Sequence, residues 1–412
     1  MKAYLQTFGC RANQYDTEAA RAMIEAAGGT IVESPREADV ALFNSCAVTA
    51  AAEADLRQSV RRAAKGNSGI RSVVMGCASA RDDGAIAALP GVSDVIAGAD
   101  LSALAVALGI DPTLALVRPT LQAGSRALLR VQDGCDEHCT FCATTLARGT
   151  NRSRTADEIV REAAALAVEH PEIVITGIHI GTYGADCGTS LGELLERLVN
   201  EVPRVRFRLT SVEASEVDQR LGDLLAGDPS RVAPHLHAPL QSGSDRVLKR
   251  MGRHWYSAAA YAAAAARIAA QRGVFALGAD IITGFPGETE ADHAATVALV
   301  HELPFTYLHV FPYSARPGTA ALRMDGEVPA AVSRERSAEL RAIGEAKAAA
   351  YRAARVGGAA DVVVVGDGAR REGLTEDYLT VRLHDPALPR RSRFEACLGI
   401  DESGALATLP GL

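Results

Sequence analysis

Val131-Gln132-Asp133-Gly134-Cys135-Asp136-Glu137-His138-Cys139-Thr140-Phe141-Cys142 sets three cysteines at C-x3-C-x2-C spacing, directly after the strand-like run Leu128 to Gln132. Three thiolates on one tight loop hold three irons of a 4Fe-4S cluster and leave the fourth iron open to a small molecule. Zinc is the rival reading, with His138 inside the loop as an added ligand, although zinc sites usually pair C-x2-C units or add histidines.

Outward from the loop, candidate strands recur at Ile173 to Thr176, Arg206 to Leu209, His235 to Leu240, Ala276 to Ile282 and Tyr307 to Phe311. Helix-like segments such as Thr155 to Val168 and Leu191 to Glu201 separate them. Alternation of this kind predicts parallel strands with helices outside, and six units fit a partial (β/α)6 TIM-like barrel over residues 126–353. The carboxyl ends of its strands, where such barrels react, carry Cys135, Gly177, Ser211, Gln241, Gly284 and Pro312.

Residues 1–115 repeat the alternation. Strands are expected at Ala3 to Phe8, Val40 to Phe43, Ser72 to Met75 and Val92 to Ala97, with helices at Asn13 to Ala27, Ala51 to Ala64, Ser79 to Leu89 and Leu101 to Leu108. Cys10, Cys46 and Cys77 each follow one of the first three strands. In a parallel sheet those ends share one edge, so three distant thiols converge on one spot. Singly, each reads as a buried structural thiol; the repeated position favours a metal site. Breakers at Asp111-Pro112, Arg118-Pro119 and Ala123-Gly124 mark a linker, placed at 116–125. From 356 to 412 the pattern turns to short β runs, Asp361 to Val365, Tyr378 to Leu383, Phe394 to Gly399 and Ala405 to Leu409, with Gly366, Gly368 and Gly373 among them. That is a small all-β module of an RNA-binding type, with a purely structural cap as the alternative.

The chain has 412 residues, 48% of them hydrophobic and 23% charged, and a net charge of −7. The acidic balance excludes a global electrostatic pull on nucleic acid, so RNA contact would need local patches. Two exist, Arg148 with Arg152 and Arg154, and Arg390 with Arg391 and Arg393; internal ion pairing or plain solvation is the competing reading. No apolar leader opens the chain, and the Ala258 to Ala270 run is broken by Tyr261 and Arg267, so a cytoplasmic protein without a membrane span is expected. In reducing cytosol eight cysteines point to ligands more than disulfides. Cys187 and Cys397 lack partners at ligand spacing.

These motifs resemble, end to end, the radical S-adenosylmethionine methylthiotransferase family. The likeness is carried by Thr7 to Gln14, Asn44 to Thr49, Met75 to Ala78, the Cys135 loop, Thr176 to Gly184, Pro239 to Asp245 with Lys249 to Met251, Gly284 to Thr289 and Tyr313 to Thr319. It is nearest the branch acting on N6-threonylcarbamoyladenosine beside the tRNA anticodon. The resemblance implies an enzyme with two 4Fe-4S clusters that consumes two S-adenosyl-L-methionine molecules. Cys135, Cys139 and Cys142 would hold the cluster that cleaves one of them, and Cys10, Cys46 and Cys77 an auxiliary cluster that carries sulfur. It also implies a TRAM-like C-terminal module, the tRNA anticodon stem-loop as partner, a reductant such as a flavodoxin or ferredoxin, and a sulfur donor it does not identify. Isopentenyl-adenosine in tRNA and a ribosomal-protein aspartate are the family's other targets. A non-catalytic iron–sulfur or zinc protein serving RNA binding or electron transfer is the rival of another class.

Within that frame, Gly177 would let the cofactor approach the backbone. Ser211, Glu213, Gln241 and Ser242 would bond its polar groups, and Phe141, Ile282, Phe311 and Tyr313 would wall its adenine. Arg148, Arg152 and Arg154 would meet phosphates or the carboxylate of the threonyl group. After Cys142 the family's Ile-Ile-Pro-Tyr is replaced by Ala143-Thr144-Thr145-Leu146.

Overall fold

Strand β1 (Lys2–Thr7) enters helix α1 (Arg11–Ala26), and the chain returns through β2 (Thr30–Val32), β3 (Val40–Ser45), α2 (Ala50–Gly66), β4 (Arg71–Gly76), β5 (Val92–Val95) and α3 (Leu101–Leu108). This computed structural model describes residues 1–47, 50–81, 84–366, 372–385 and 387–409; Val48, Thr49 and Gly368 of the segments quoted above lie outside them. The five strands form a parallel sheet in the order β2-β1-β3-β4-β5. β3 is buried along its whole length, as a strand covered on both faces must be. The helix expected over Ser79 to Leu89 is corrected: a short 3-10 turn, Ser79–Arg81, is followed after the undescribed 82–83 by turns. The Asp82-Asp83-Gly84 sequence interrupts the helix-forming alanines on either side, and Gly84 stands at φ +100°.

The second series begins with β6 (Ala127–Arg130), β7 (Gln132–Asp133), α4 (Thr144–Arg148), β8 (Arg152–Ser153) and α5 (Ala156–Leu166). It continues through β9 (Glu172–Thr176), α6 (Leu191–Glu201), β10 (Arg206–Leu209), α7 (Gln219–Ala226), β11 (His235–His237), α8 (Asp245–Arg250) and α9 (Ala258–Ala270). β12 (Ala276–Thr283), α10 (Glu290–Glu302), β13 (Tyr307–Pro312) and α11 (Ala330–Arg355) complete it. Strands β6, β9 and β10 form one parallel trio and β11, β12 and β13 another. Parallel bridges Phe207 to Val232 and Ser211 to His237 join the trios into the expected six-strand arc. Its helices turn apolar faces inward. α5 is started by a Thr155–Glu158 capping box and buries Ile159, Ala163 and Leu166. α9 buries Tyr261, Ala265 and Ile268, the stripe of a surface helix. Among the described residues no helix is long and apolar enough to cross a membrane.

The last strands, β14 (Ala359–Val364), β15 (Glu372–Thr375), β16 (Thr380–Arg382), β17 (Arg393–Ile400) and β18 (Leu406–Thr408), close a barrel in the order β14-β15-β16-β18-β17. β15 was not expected, because Gly373 reads as a breaker. Its missing side chain instead leaves room for Val362 and Leu383 to pack across it. The barrel covers the amino-terminal end of the arc. There Glu172, fully buried, accepts from Arg206 Nε (2.6 Å) and Arg208 Nε (2.8 Å), and the same guanidinium groups donate to Asp361 O and Thr375 O, both at 3.0 Å. Tyr378 follows them inward, its ring 4.3 Å from that of His235, and accepts from Arg11 Nη2 at 2.7 Å.

The second basic patch lies at this junction. Arg390 donates to Ser125 Oγ (3.0 Å) and Ala123 O (2.6 Å), Arg391 to Gln122 O (2.6 Å), and Arg393 pairs with Asp361. Arg390 and Arg391 latch the barrel to residues 122–125, while Arg393 pairs within the barrel and donates to Ser230 O. Replacing Arg390 and Arg391 together by alanine is expected to weaken that docking by about 1–2 kcal/mol. Faster limited proteolysis within residues 117–125 would report it, and an unchanged cleavage rate would count against the latch.

Candidate active site

The carboxyl ends of β1, β3 and β4 bring Cys10, Cys46 and Cys77 together around Asn13. The Asn13 amide donates to Ser45 O (2.6 Å) and Asn44 Oδ1 (3.1 Å), while its Oδ1 lies 3.6 Å from Cys10 Sγ and 3.8 Å from Cys77 Sγ. Gly76 must be glycine: at φ +102° a Cβ would strike Asn44 Oδ1 and Ser45 O. Cys10 is exposed, and Cys46 and Cys77 are buried. Burial pushes the Cys77 thiol up to about 11, with Arg148 opposing.

Gly134, at φ +72° and close against Thr150 O, turns the chain into the second loop. Each sulfur there has a nitrogen aimed at it. Cys135 Sγ lies 3.6 Å from His179 Nδ1, Cys139 Sγ takes Arg253 Nη1 at 3.4 Å, and Cys142 Sγ takes Thr144 N at 3.3 Å. Burial pushes Cys139 up to about 12, again against the arginine. Burial works to lower His179, yet its bonds to Cys135 and Glu216 raise it to about 10.

Nitrogen donors pointed at free thiols are the surroundings that metal-bound thiolates require. Among the described residues, neither triplet closes to the spacing at which three ligand atoms all lie within 4.8 Å of one another. A single tetrahedral zinc with Zn–S of about 2.3 Å needs its sulfurs closer, roughly 3.8 Å apart. The residues present fit thiolates spread over several irons.

A cavity of about 210 Å³ lies between the two loops, lined by Cys77 on one side and Cys142 on the other, with Gln241, Asp280, Ile282, Phe311, Tyr313 and Arg316 among its walls. Among the described residues, three polar atoms here have no hydrogen-bond partner: Gln241 Oε1, Tyr313 Oη and Arg316 Nε. Gln241 sits at φ +65° at the end of its strand, a conformation that non-glycine residues seldom hold without local support.

The expected cofactor residues divide. Phe141, Gln241, Ile282, Phe311 and Tyr313 line this cavity. Gly177 faces elsewhere: a Cβ would meet Gln132 O and Ile180, so the glycine admits Gln132, whose Oε1 accepts from Ile178 N (3.0 Å) and His179 N (2.9 Å). Ser242 is turned to Thr296, and Ser211 is exposed. Glu213 is buried and committed to Arg253 and Trp255 Nε1.

The first basic patch divides too. Arg148, with a side chain 2% exposed, donates to Asp16 Oδ2 (2.6 Å), Asn13 Oδ1 (2.9 Å), Asp133 Oδ1 (3.2 Å) and Cys77 Sγ (3.4 Å). Arg154 pairs with Glu162 at 2.7 Å, and Glu162 in turn accepts from Tyr15 Oη at 2.9 Å. Both arginines join α1 to the arc and are not turned to a ligand. Arg152 alone of the three is exposed.

Asn13, His179 and Arg316 sit inside the quoted motifs, yet spacing gives no sign that they orient sulfurs or line the cavity. Arg253 and Trp255 carry no signal at all, because their partner Glu213 is distant in sequence. Cys187 is exposed and Cys397 half-buried.

Residues 2–98 match a family model described as "Uncharacterized protein family UPF0004", and residues 129–300 match the "Radical SAM superfamily". The chain is similar to the threonylcarbamoyladenosine tRNA methylthiotransferase MtaB of Thermotoga maritima, 35% identical over 81% of this chain and 79% of that protein. It is 33% identical to the Rickettsia prowazekii protein of the same name, over 98% and 96%. It is 34% identical to the tRNA-2-methylthio-N(6)-dimethylallyladenosine synthase of Thiobacillus denitrificans, over 89% and 87%. In fold it resembles the radical S-adenosylmethionine methyltransferase TsrM of Kitasatospora setae, solved with cobalamin and a 4Fe-4S cluster, at TM-score 0.59 and 15% identity, covering 78% of this chain and 76% of that one. A triplet-bearing arc beside a second triplet, with relatives that span nearly the whole length, leads to one conclusion: the chain belongs to the radical S-adenosylmethionine methylthiotransferase family, enzymes that transfer a sulfur-containing group.

Proposed function

We propose that this enzyme delivers a methylthio group to C2 of N6-threonylcarbamoyladenosine next to the tRNA anticodon, using two S-adenosylmethionine molecules and two 4Fe-4S clusters. The observation that carries the reading is that Cys77 and Cys142, one from each triplet, line the same cavity. Bound there, the clusters and S-adenosylmethionine supply radical formation, sulfur and the methyl group. Cys135, Cys139 and Cys142 hold the first cluster, and Cys10, Cys46 and Cys77 the second.

The protein's own part is placement. Phe141, Ile282 and Phe311 give apolar walls that keep water from the reacting centre. Gln241 Oε1, Tyr313 Oη and Arg316 Nε offer an acceptor, a hydroxyl and a buried cationic N–H. A carboxylate-bearing threonylcarbamoyl side chain satisfies such groups, whereas an apolar isopentenyl chain leaves them unpaired. That difference favours the first target over isopentenyl-adenosine. Arg152 and the last barrel are the surfaces for the anticodon stem-loop. Electrons come from a cytoplasmic flavodoxin or ferredoxin.

Nucleoside analysis of tRNA from a deletion strain tests the target. The methylthio form of threonylcarbamoyladenosine should vanish and return with the gene, while the dimethylallyl counterpart persists; the reverse pattern would overturn the assignment. Because phosphate contacts release counterions, tRNA affinity should fall with rising salt, and a flat response would point to a protein target.

A further inference from the structure

The interior of the arc holds a chain of polar groups that the two cysteine triplets do not use. His235 Nε2 lies 2.8 Å from Tyr307 Oη, which lies 3.1 Å from His237 Nδ1. His237 Nε2 is 3.0 Å from Asp280 Oδ1, and His309 Nδ1 is 3.2 Å from the same oxygen. Strand register sets this up. Asp280 and His309 are direct cross-strand partners, and His237 pairs with Gly278, two residues before Asp280 on the same face. Gly278 must lack a side chain, since a Cβ would enter the Tyr307 ring. The ring lies across that gap and carries its hydroxyl to both histidines.

We propose that His237 Nε2, Asp280 Oδ1 and His309 Nδ1 bind one divalent transition-metal ion, separate from both cysteine triplets. These three atoms all lie within 4.8 Å of one another, and two imidazoles with one carboxylate are a borderline donor set suited to such ions. Three protein ligands leave positions open, as reactive rather than structural sites do. Asp280 lines the cavity between the triplets, so an open position faces an oxygen donor held there, such as a carboxylate.

The protons also fit. Coordination through Nε2 leaves the His237 proton on Nδ1, donated to Tyr307 Oη, and the tyrosine hydroxyl then donates to His235 Nε2. That is the outer support a metal-bound imidazole takes. The other group at comparable spacing, His179 with Glu213 and Glu216, is already spent on Cys135, Arg253 and Trp255.

The test uses the full chain with its iron sites reconstituted anaerobically and stray metal removed by chelator. Mn2+, which favours oxygen and nitrogen over thiolate, is titrated with free Mn2+ read by EPR, and Zn2+ retention is counted by elemental analysis. One equivalent is expected. His309→Ala removes a ligand whose side chain is 52% exposed, so folding should survive. That variant and Asp280→Asn should bind at least about tenfold more weakly, and Tyr307→Phe about tenfold more weakly, with iron and sulfide contents unchanged. Absence of both ions from the wild type, or undiminished binding in His309→Ala and Asp280→Asn, would overturn the site. Neither readout depends on which target the enzyme modifies.

Discussion

A Cys139→Ala variant is expected to make no 5′-deoxyadenosine above background while retaining about four irons on the remaining triplet. Arg253 donates to the Cys139 sulfur at 3.4 Å and is itself held by Glu213. Two thiolates cannot hold three irons, so the loss should be complete and not partial. Arg253 would keep its partners Glu213 and Tyr256, the latter at 2.8 Å, so the surrounding fold should persist. Iron and sulfide analysis with chromatography of S-adenosylmethionine products reads both halves of the result. The mirror variant Cys10→Ala should still cleave S-adenosylmethionine yet form no methylthio product. Cleavage retained by Cys139→Ala would sink the assignment of that loop.

Arg148→Met should be nearly as damaging for a different reason. One guanidinium joins the two halves of the site, because α4 grows from the residue after Ala143 in the Cys142 loop and ends with Arg148 against Cys77. Its removal leaves Asp16, fully buried, with Arg130 alone. Breaking a buried pair by deleting one partner costs about 3–5 kcal/mol. Burial already drives the Asp16 carboxyl upward against the pull of both arginines, so in the variant it should bind a proton more readily. A group whose folded-state affinity for protons rises loses stability as pH increases, so the deficit should widen with pH. Anaerobic denaturant titrations at two pH values measure this. The auxiliary cluster should also become harder to reduce, since a cationic N–H donor to Cys77 is gone. A redox titration in the Cys139→Ala background isolates that shift, and unchanged potential and stability together would remove Arg148 from the site. Lysine would restore the charge but not the fork that reaches Asp16, Asn13 and Asp133 together.

Much of this was legible in the residues alone. Alternating apolar runs marked most of the strands along the chain, though not β2 or the short β7 and β8, and cysteines repeated after strand ends implied a shared edge before any coordinates. Where reading failed, a residue's meaning depended on something far along the chain. Gly373 signals a break locally, and only the neighbouring Val362 and Leu383 make it a packing position. Arg148 looks identical to a phosphate ligand until Asp16 arrives from a distant helix, and Arg154 until Glu162 of the helix that follows it turns to pair with it. Gly177 seemed placed for a cofactor, but Gln132 occupies the room it leaves. Charges and glycines state a need without naming who meets it.

The hydrogen bond from Arg11 to Tyr378 joins the residue after Cys10 to a residue 367 positions later. Synthesis proceeds from the amino terminus, and domains fold as they emerge. The first sheet can therefore form early, but the residue beside its first cysteine gains its Tyr378 partner only when the final barrel has left the ribosome.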